Sequence, residues 1–181
     1  MRMYNKLPHS IKINSKEITI NTDYRLFVKF ELEMQGNDTR KATENVLKGF
    51  YPAFLLKNIT QEMIDKFIWF YKCGKEQEEK KGTKKGKNIR SYDYEIDDDL
   101  IYSAFMECYH IDLSKPMHWW KFRALFNGLN SECEFCKVKS YRLYDGKEQN
   151  LIDLREYHKL PPTKVEIEDS LRQQRLYESL K

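Results

Sequence analysis

The stretch MHWWKFRALFNGL, residues 117–129, limits the fold more than any other part of the chain. Trp119, Phe122 and Phe126 recur at helical spacing, so a helix here sets three large rings along one stripe. Rings of that size belong in a core, and a core that holds them needs several other elements around it. Trp119, Phe122 and Phe126 are assigned there. Trp120 and Ala124 flank the stripe, and Trp120 points elsewhere, into a partner or against the hairpin. Lys121 points to water. His118, near the helix start, reads as a polar side chain with a satisfied ring nitrogen. Pro116 suits the first helical turn and Gly128 the end.

The remaining elements follow from period and punctuation. Ile11, Ile13, Ile18 and Ile20 alternate with polar residues over residues 10–23, which predicts a β-hairpin with NSKE as its turn. A lone hairpin is not stable, so its apolar face must lie on something. Asp23 can cap a helix carrying Leu26, Phe27 and Phe30, ended by Gly36 and Asn37. DTRKATENVLKGF predicts a second helix, closed by Gly49 and Pro52. Thr60 opens a third, with Met63, Ile64, Phe67, Ile68 and Tyr71 in line. After an acidic start at Asp97, Asp98 and Asp99, a fourth presents Leu100, Ile101, Ala104, Phe105 and Cys108 on one face. CEFCKVKSYRLYD is too mixed to assign. A last helix follows Pro161 and Pro162, with Thr163 as its cap and a sparse apolar line of Val165, Leu171, Leu176 and Leu180. The expected fold is mainly α, a multi-helix domain with a short N-terminal β-hairpin (α+β overall). Residues 1–74 pack with 91–160 as one domain, and 161–181 form a C-terminal helix, partly detached. Residues 75–90, KEQEEKKGTKKGKNIR, have no apolar stripe and are expected to be an exposed charged linker.

Candidate chemistry is sparse. Cys133 and Cys136 form a C-x-x-C, yet a tetrahedral zinc site needs a second close ligand pair. Cys108 and His110 are badly spaced for that role, and the motif lacks the βαβ setting of a redox site. The expectation is no metal and no cofactor, with Cys133 and Cys136 as a weak alternative zinc pair. The acidic run at Asp97 lacks the glycine and downstream Glu of a calcium loop. Basic residues near Lys80–Arg90 are offset by acidic neighbours on both sides, which favours a solvated linker over a nucleic-acid site. The net charge of +4, from 32 basic and 28 acidic side chains, agrees with that. No nucleophile elbow, P-loop, zinc-protease helix or dinucleotide fingerprint occurs, so nothing nominates an enzyme. No run of 18 apolar residues predicts a membrane span, and no apolar leader follows the first Met. The four cysteines are expected to be reduced thiols inside a cell.

SYDYEIDDDLIYSAFMECYHIDLSK, then MHWWKFRALFNGL, then Tyr141-Arg142, resemble a family of small bacteriophage proteins from the tail module of long-tailed phages and prophages of Gram-positive bacteria. The resemblance rests on residues 92–97, 101–105, 111–113, 118–126 and 141–142. Met117 stands where the family more often has Leu, the cysteines at 133 and 136 are outside the pattern, and the 75–90 insertion is in a variable region. The resemblance implies a non-enzymatic tail assembly chaperone in the host bacterial cytoplasm, absent from the mature virion. Its implied partner is the tape-measure protein, with the major tail tube protein and self-association beside it, and neither a membrane nor nucleic acid. For the contact surface we nominate Trp120, Lys121, Arg123, Leu171, Leu176 and Leu180, and for the core Trp119, Phe122, Phe126, Phe105 and Ile101. The alternatives are a small zinc- or nucleic-acid-binding module and a structural tail component.

Overall fold

The computed structural model describes residues 7–36, 38–75 and 89–179. It begins with an antiparallel hairpin, β1 (Ser10–Ile13) and β2 (Lys16–Thr19), with Ile11 opposite Ile18 and Ile13 opposite Lys16. The turn is shorter than the expected NSKE. Asn14 and Ser15 alone form it, both at positive φ (48° and 64°), the turn whose twist matches that of paired strands. Ile11, Ile13 and Ile20 face inward and are buried.

Helix α1 (Tyr24–Glu33) starts where the Asp23 carboxylate accepts the Arg25 backbone N–H at 3.0 Å. It buries Tyr24, Phe27 and Phe30. Helix α2 (Thr39–Phe50) is capped by Asp38, which accepts from Lys41 N at 2.9 Å. Gly49 does not close it. The helix runs on to Phe50, and Gly49 instead lets α1 come close: a Cβ there would meet Leu26 Cδ1 at 2.5 Å. After Pro52 and a 3-10 turn (Ala53–Leu55) comes α3 (Gln61–Tyr71), capped by Thr60 and burying Met63, Phe67 and Phe70.

Beyond residue 88 the chain forms α4 (Asp98–Tyr109), α5 (Trp119–Asn127), α6 (Glu134–Arg142), α7 (Gln149–Tyr157) and α8 (Lys164–Ser179). The fold is therefore mainly α with a short N-terminal hairpin, as expected from the sequence. Pro116 lies outside α5, three residues before Trp119, and the cap is His118. Helix α6, left unassigned above, buries Phe135, Val138 and Arg142. One of its three inward positions is an arginine, which hides the apolar period. Helix α7, not expected from the sequence, buries nothing completely and lies along α6.

One apolar cluster joins both sides of the charged segment, from Ile11 to Phe135. Phe27, fully buried, lies at its centre, its ring within 6.4 Å of those of Phe50, Phe67, Phe70, Tyr71 and Trp119. Residues 76–88, most of the expected linker, lie outside the described residues. Arg90, assigned to that linker, is packed: its guanidinium donates to Gln35 Oε1 (2.6 Å), Asp93 Oδ2 (2.8 Å) and the Pro161 carbonyl.

Helix α4 ends at exposed His110, which adopts the left-handed conformation (φ 53°, ψ 37°). A side chain with a Cβ is strained there and glycine is not. His110→Gly is expected to raise stability by about 0.5–1 kcal/mol, read as a higher urea midpoint; a lower midpoint would show that the His110 side chain contributes more than its backbone strain costs.

Candidate functional site

The HWW motif is a junction of three chain segments. Tyr24 N donates to Met117 O (2.9 Å) and Trp119 N to Thr22 O (2.7 Å), so Asp23 and His118, the caps of α1 and α5, sit side by side as an antiparallel bridge. His118 Nδ1 accepts the backbone N–H of Trp120 at 3.0 Å, and Nε2 donates to Pro8 O at 2.9 Å. These two bonds require the neutral imidazole with its proton on Nε2.

The two tryptophans act on the other end of a different helix. Trp119 Nε1 donates to Tyr71 O (2.9 Å) and Trp120 Nε1 to Phe70 O (2.7 Å), both carbonyls at the end of α3; Phe70 O also accepts the Cys73 backbone N–H at 2.9 Å. Trp120 also closes over Gly74, at φ 69°, where a Cβ would lie 2.9 Å from Trp120 Cη2. Trp120 is only 7% exposed. Its nomination as a contact residue is corrected: adjacent positions on a helix point apart, and the second direction here is filled by Trp69, Phe70 and Gly74 of the same chain.

Burial holds the His118 pKa below its ordinary value, opposed by the bond to Pro8 and assisted by His9, whose ring is 5.1 Å away. The unfolded chain therefore takes up the proton first. The stability this site contributes is complete above about pH 6.5, the unfolded value, and is lost as pH falls through the folded one. His118→Asn keeps a cap acceptor and removes the titration. The expected result is a wild-type urea midpoint that falls faster than the variant's as pH drops below about 6.5; parallel curves would remove His118 as the cause.

The tyrosine-arginine pair and the acidic segment meet in the interior. Arg142 grips Asp97 with both arms, Nη1 to Oδ2 at 2.6 Å and Nη2 to Oδ1 at 2.8 Å. Their side chains are 7% and 2% exposed. Arg142 also donates to His158 O (2.6 Å) and Ser91 O (3.3 Å), and Asp97 Oδ2 accepts from Asp93 N (2.9 Å). This one side chain ties the start of α4 and the ends of α6 and α7 together. Asp97, which the sequence places in helix-start electrostatics, is instead a buried side chain held by Arg142 of α6. The overlooked signal is spacing: Arg142 follows Phe135 and Val138 at inward-facing steps of three and four.

A second overlooked charge is Glu31, next to the stripe of Phe27 and Phe30. It accepts from Tyr71 Oη (3.0 Å) and pairs with Arg123 at 3.4 Å. Burial pushes its carboxyl up, against the pull of Tyr71 and Arg123. Arg123 in turn lies over Trp119, 5.3 Å from the ring centre. Arg123, nominated for partner contact, is thus committed within the fold. Beside Glu31 a groove of 640 Å³ opens between α1, α3 and residues 89–94. Phe30, Phe67 and Tyr71 floor it, Met34 and Ile68 stand at its margin, and Gln35, Lys72 and Arg90 stand with Glu31 around it.

The other sequence-nominated residues are scattered. Trp119, Phe122, Phe126, Phe105 and Ile101 lie in the core. Lys121 is exposed on α5, while Leu171 (45% exposed) and Leu176 (58%) are on α8. Leu180 lies outside the described residues. Cys133 is buried at the start of α6 and Cys136 half-buried one turn on; both are free thiols. Among the described residues no three His, Cys, Asp or Glu side chains gather as a metal site would require, and no helix is long and apolar enough to cross a membrane.

The HWW motif and Arg142 therefore serve as internal struts. The fold they hold together is that of a phage protein: a family model of bacteriophage proteins matches residues 3–162. That family is the bacteriophage Gp15 protein family, and this chain belongs to it. No curated protein and no solved structure matches the chain.

Proposed function

We propose that this phage protein is a non-enzymatic tail assembly chaperone that binds the tape-measure protein and keeps it soluble while the tail tube polymerises around it. The observation that carries the reading is the 640 Å³ groove between α1 and α3, apolar on its floor and charged at its edges. An amphipathic helix docks by laying apolar side chains into such a groove and leaving its polar face in water. Met34 and Ile68, each 39% exposed, stand at its margin, where a partner would cover them. The long helical chain of a tape measure offers many such segments. In this reading the protein works in the host bacterial cytoplasm, leaves before the virion is complete, and meets the major tail tube protein only through the shared substrate.

Co-expression with the tape-measure protein, followed by pull-down and size-exclusion chromatography, tests this. The expected result is a soluble tape measure that co-elutes with this protein, and loss of co-elution with Ile68→Glu or Met34→Glu, variants whose own folding transition stays close to wild type. A tape measure that remains insoluble, or capture that survives both substitutions, overturns the groove reading. Recovery of the protein from purified particles would support the structural tail component instead.

A further inference from the structure

Helix α8 lies beyond residue 162, where the match to the family stops. Its start is secured by a reciprocal cap: Thr163 Oγ1 accepts from Glu166 N at 3.2 Å, and the Glu166 carboxylate accepts from Thr163 N at 2.6 Å. The helix is thus well begun, yet none of its described residues is buried. A 16-residue helix with so little packing of its own draws little stability from tertiary contact.

One face of α8 has a particular order. Val165, Asp169, Arg172 and Leu176 follow at steps of four, three and four, so they form a single stripe along the helix. Val165 is 36% exposed and Leu176 58%. Asp169 and Arg172 pair within the helix at 3.0 Å, with 53% and 71% of their side chains exposed. Read in either direction the stripe is apolar, charged, charged, apolar, and reversal exchanges the acid for the base. A two-fold axis passing between Ser170 and Leu171 would set Val165 against Leu176 of the second copy, and Asp169 against Arg172 of the second copy. Glu166 and Arg175 come opposite each other in the same register. A parallel pairing gains none of this, because it sets Asp169 on Asp169 and Arg172 on Arg172.

We propose that α8 is a self-association helix, and that two copies of this chain pair antiparallel through Val165, Asp169, Arg172 and Leu176. The surface is self-complementary under a two-fold axis, the condition for an isologous dimer. The paired length is about 18 Å, roughly three turns, so the contact is smaller than a standard interface and the dimer forms and dissociates readily. A chaperone that covers a long chain would gain from such pairing, since two linked copies bind neighbouring segments with raised effective concentration. The dimer itself needs no tape measure.

Sedimentation equilibrium of the full chain alone, from micromolar to hundreds of micromolar, tests it. Wild type is expected to show a reversible monomer–dimer equilibrium. Asp169→Arg and Arg172→Asp each place like charges in opposition and should weaken association about tenfold or more. Mixing the two variants in equal amounts restores opposite charges at both contacts and should restore the dimer. The exchanged variant D169R/R172D keeps both the internal pair and the antiparallel match, and should associate like wild type. The proposal is overturned by a wild type that stays monomeric throughout, by single variants that associate like wild type, or by a mixture that stays monomeric. Each outcome is read without the tape measure, so a failure here is separate from a failure of capture.

Discussion

Arg142→Ala is expected to lower stability by about 3–5 kcal/mol, because it strips a buried carboxylate of the one charged partner it has among the described residues. Asp97 is 2% exposed and cannot turn to water for solvation. The same substitution removes the donors to His158 O and Ser91 O, so the ends of α6 and α7 lose their tie to the start of α4. Urea unfolding followed by far-UV circular dichroism measures it, as a shift in midpoint. Arg142→Lys should recover little, since one ammonium cannot make the two-armed contact with Asp97 and reach two carbonyls as well. The double variant Asp97→Leu/Arg142→Met, with neither charge, should be closer to wild type than Arg142→Ala. If Arg142→Ala costs less than about 1 kcal/mol, the pair behaves as an exposed one and the strut described above does not exist.

Trp119→Ala should be comparably damaging, at about 3–5 kcal/mol. Trp119 is fully buried, stacked on Phe27, Tyr71 and Phe122, with Arg123 over its face and its indole N–H on Tyr71 O. Its removal leaves a cavity where the helices before and after residues 76–88 meet. It also removes the indole donor to the Tyr71 carbonyl at the end of α3, leaving that carbonyl only the weak Cys73 thiol donor among the described residues. Trp119→Phe separates these effects, since it retains much of the stack but not the donor, and should cost about 1–3 kcal/mol. Trp69, 39% exposed on the same chain, is the control: Trp69→Ala should cost clearly less. Equal losses at Trp119 and Trp69 would contradict a core centred on Phe27 and Trp119.

Against a total stability of about 5–15 kcal/mol, either substitution brings the chain near its unfolding threshold. Both concern residues from the rarest strings in the sequence, the HWW and tyrosine-arginine motifs. Those strings are two of the five segments that carry the resemblance to a family of small bacteriophage proteins. In the structure they hold the fold together, and the surfaces proposed for partner contact lie elsewhere, in the α1–α3 groove and on α8.

How readily each element could be read from sequence depended on what occupies its inward positions. In α3 the inward face is turned from the expected one: Phe70 is fully buried, whereas Ile68, placed in the apolar line, is 39% exposed. The places of α1, α3 and α5 were nonetheless evident, because all three carry rings at steps of three and four. Helix α6 was not, because Arg142 fills a position where an apolar residue would have completed the period. Helix α7 was not, because its inner face is only half-covered. The hairpin was clear from its alternating isoleucines, yet its turn was set too wide, since Asn14 and Ser15 can each adopt the positive φ that a two-residue turn demands. Gly49 looked like a helix end and is a point of close approach. Of the nominated contact residues, Trp120 and Arg123 proved to be committed inside the chain, and the groove that carries the functional reading was not foreseen at all.

The sequence by itself determined where most of the helices form, several of the buried rings and that the fold is mainly α. All three follow from spacing within a few residues, the range over which a helix or strand repeats. Only the tertiary structure decided how the polar groups are used. Asp97 finds Arg142 across 45 residues, Trp119 finds the Tyr71 carbonyl across 48, and Trp120 finds that of Phe70 across 50. No local period reports such pairings, because they depend on which helix ends are brought together when the aromatic core closes.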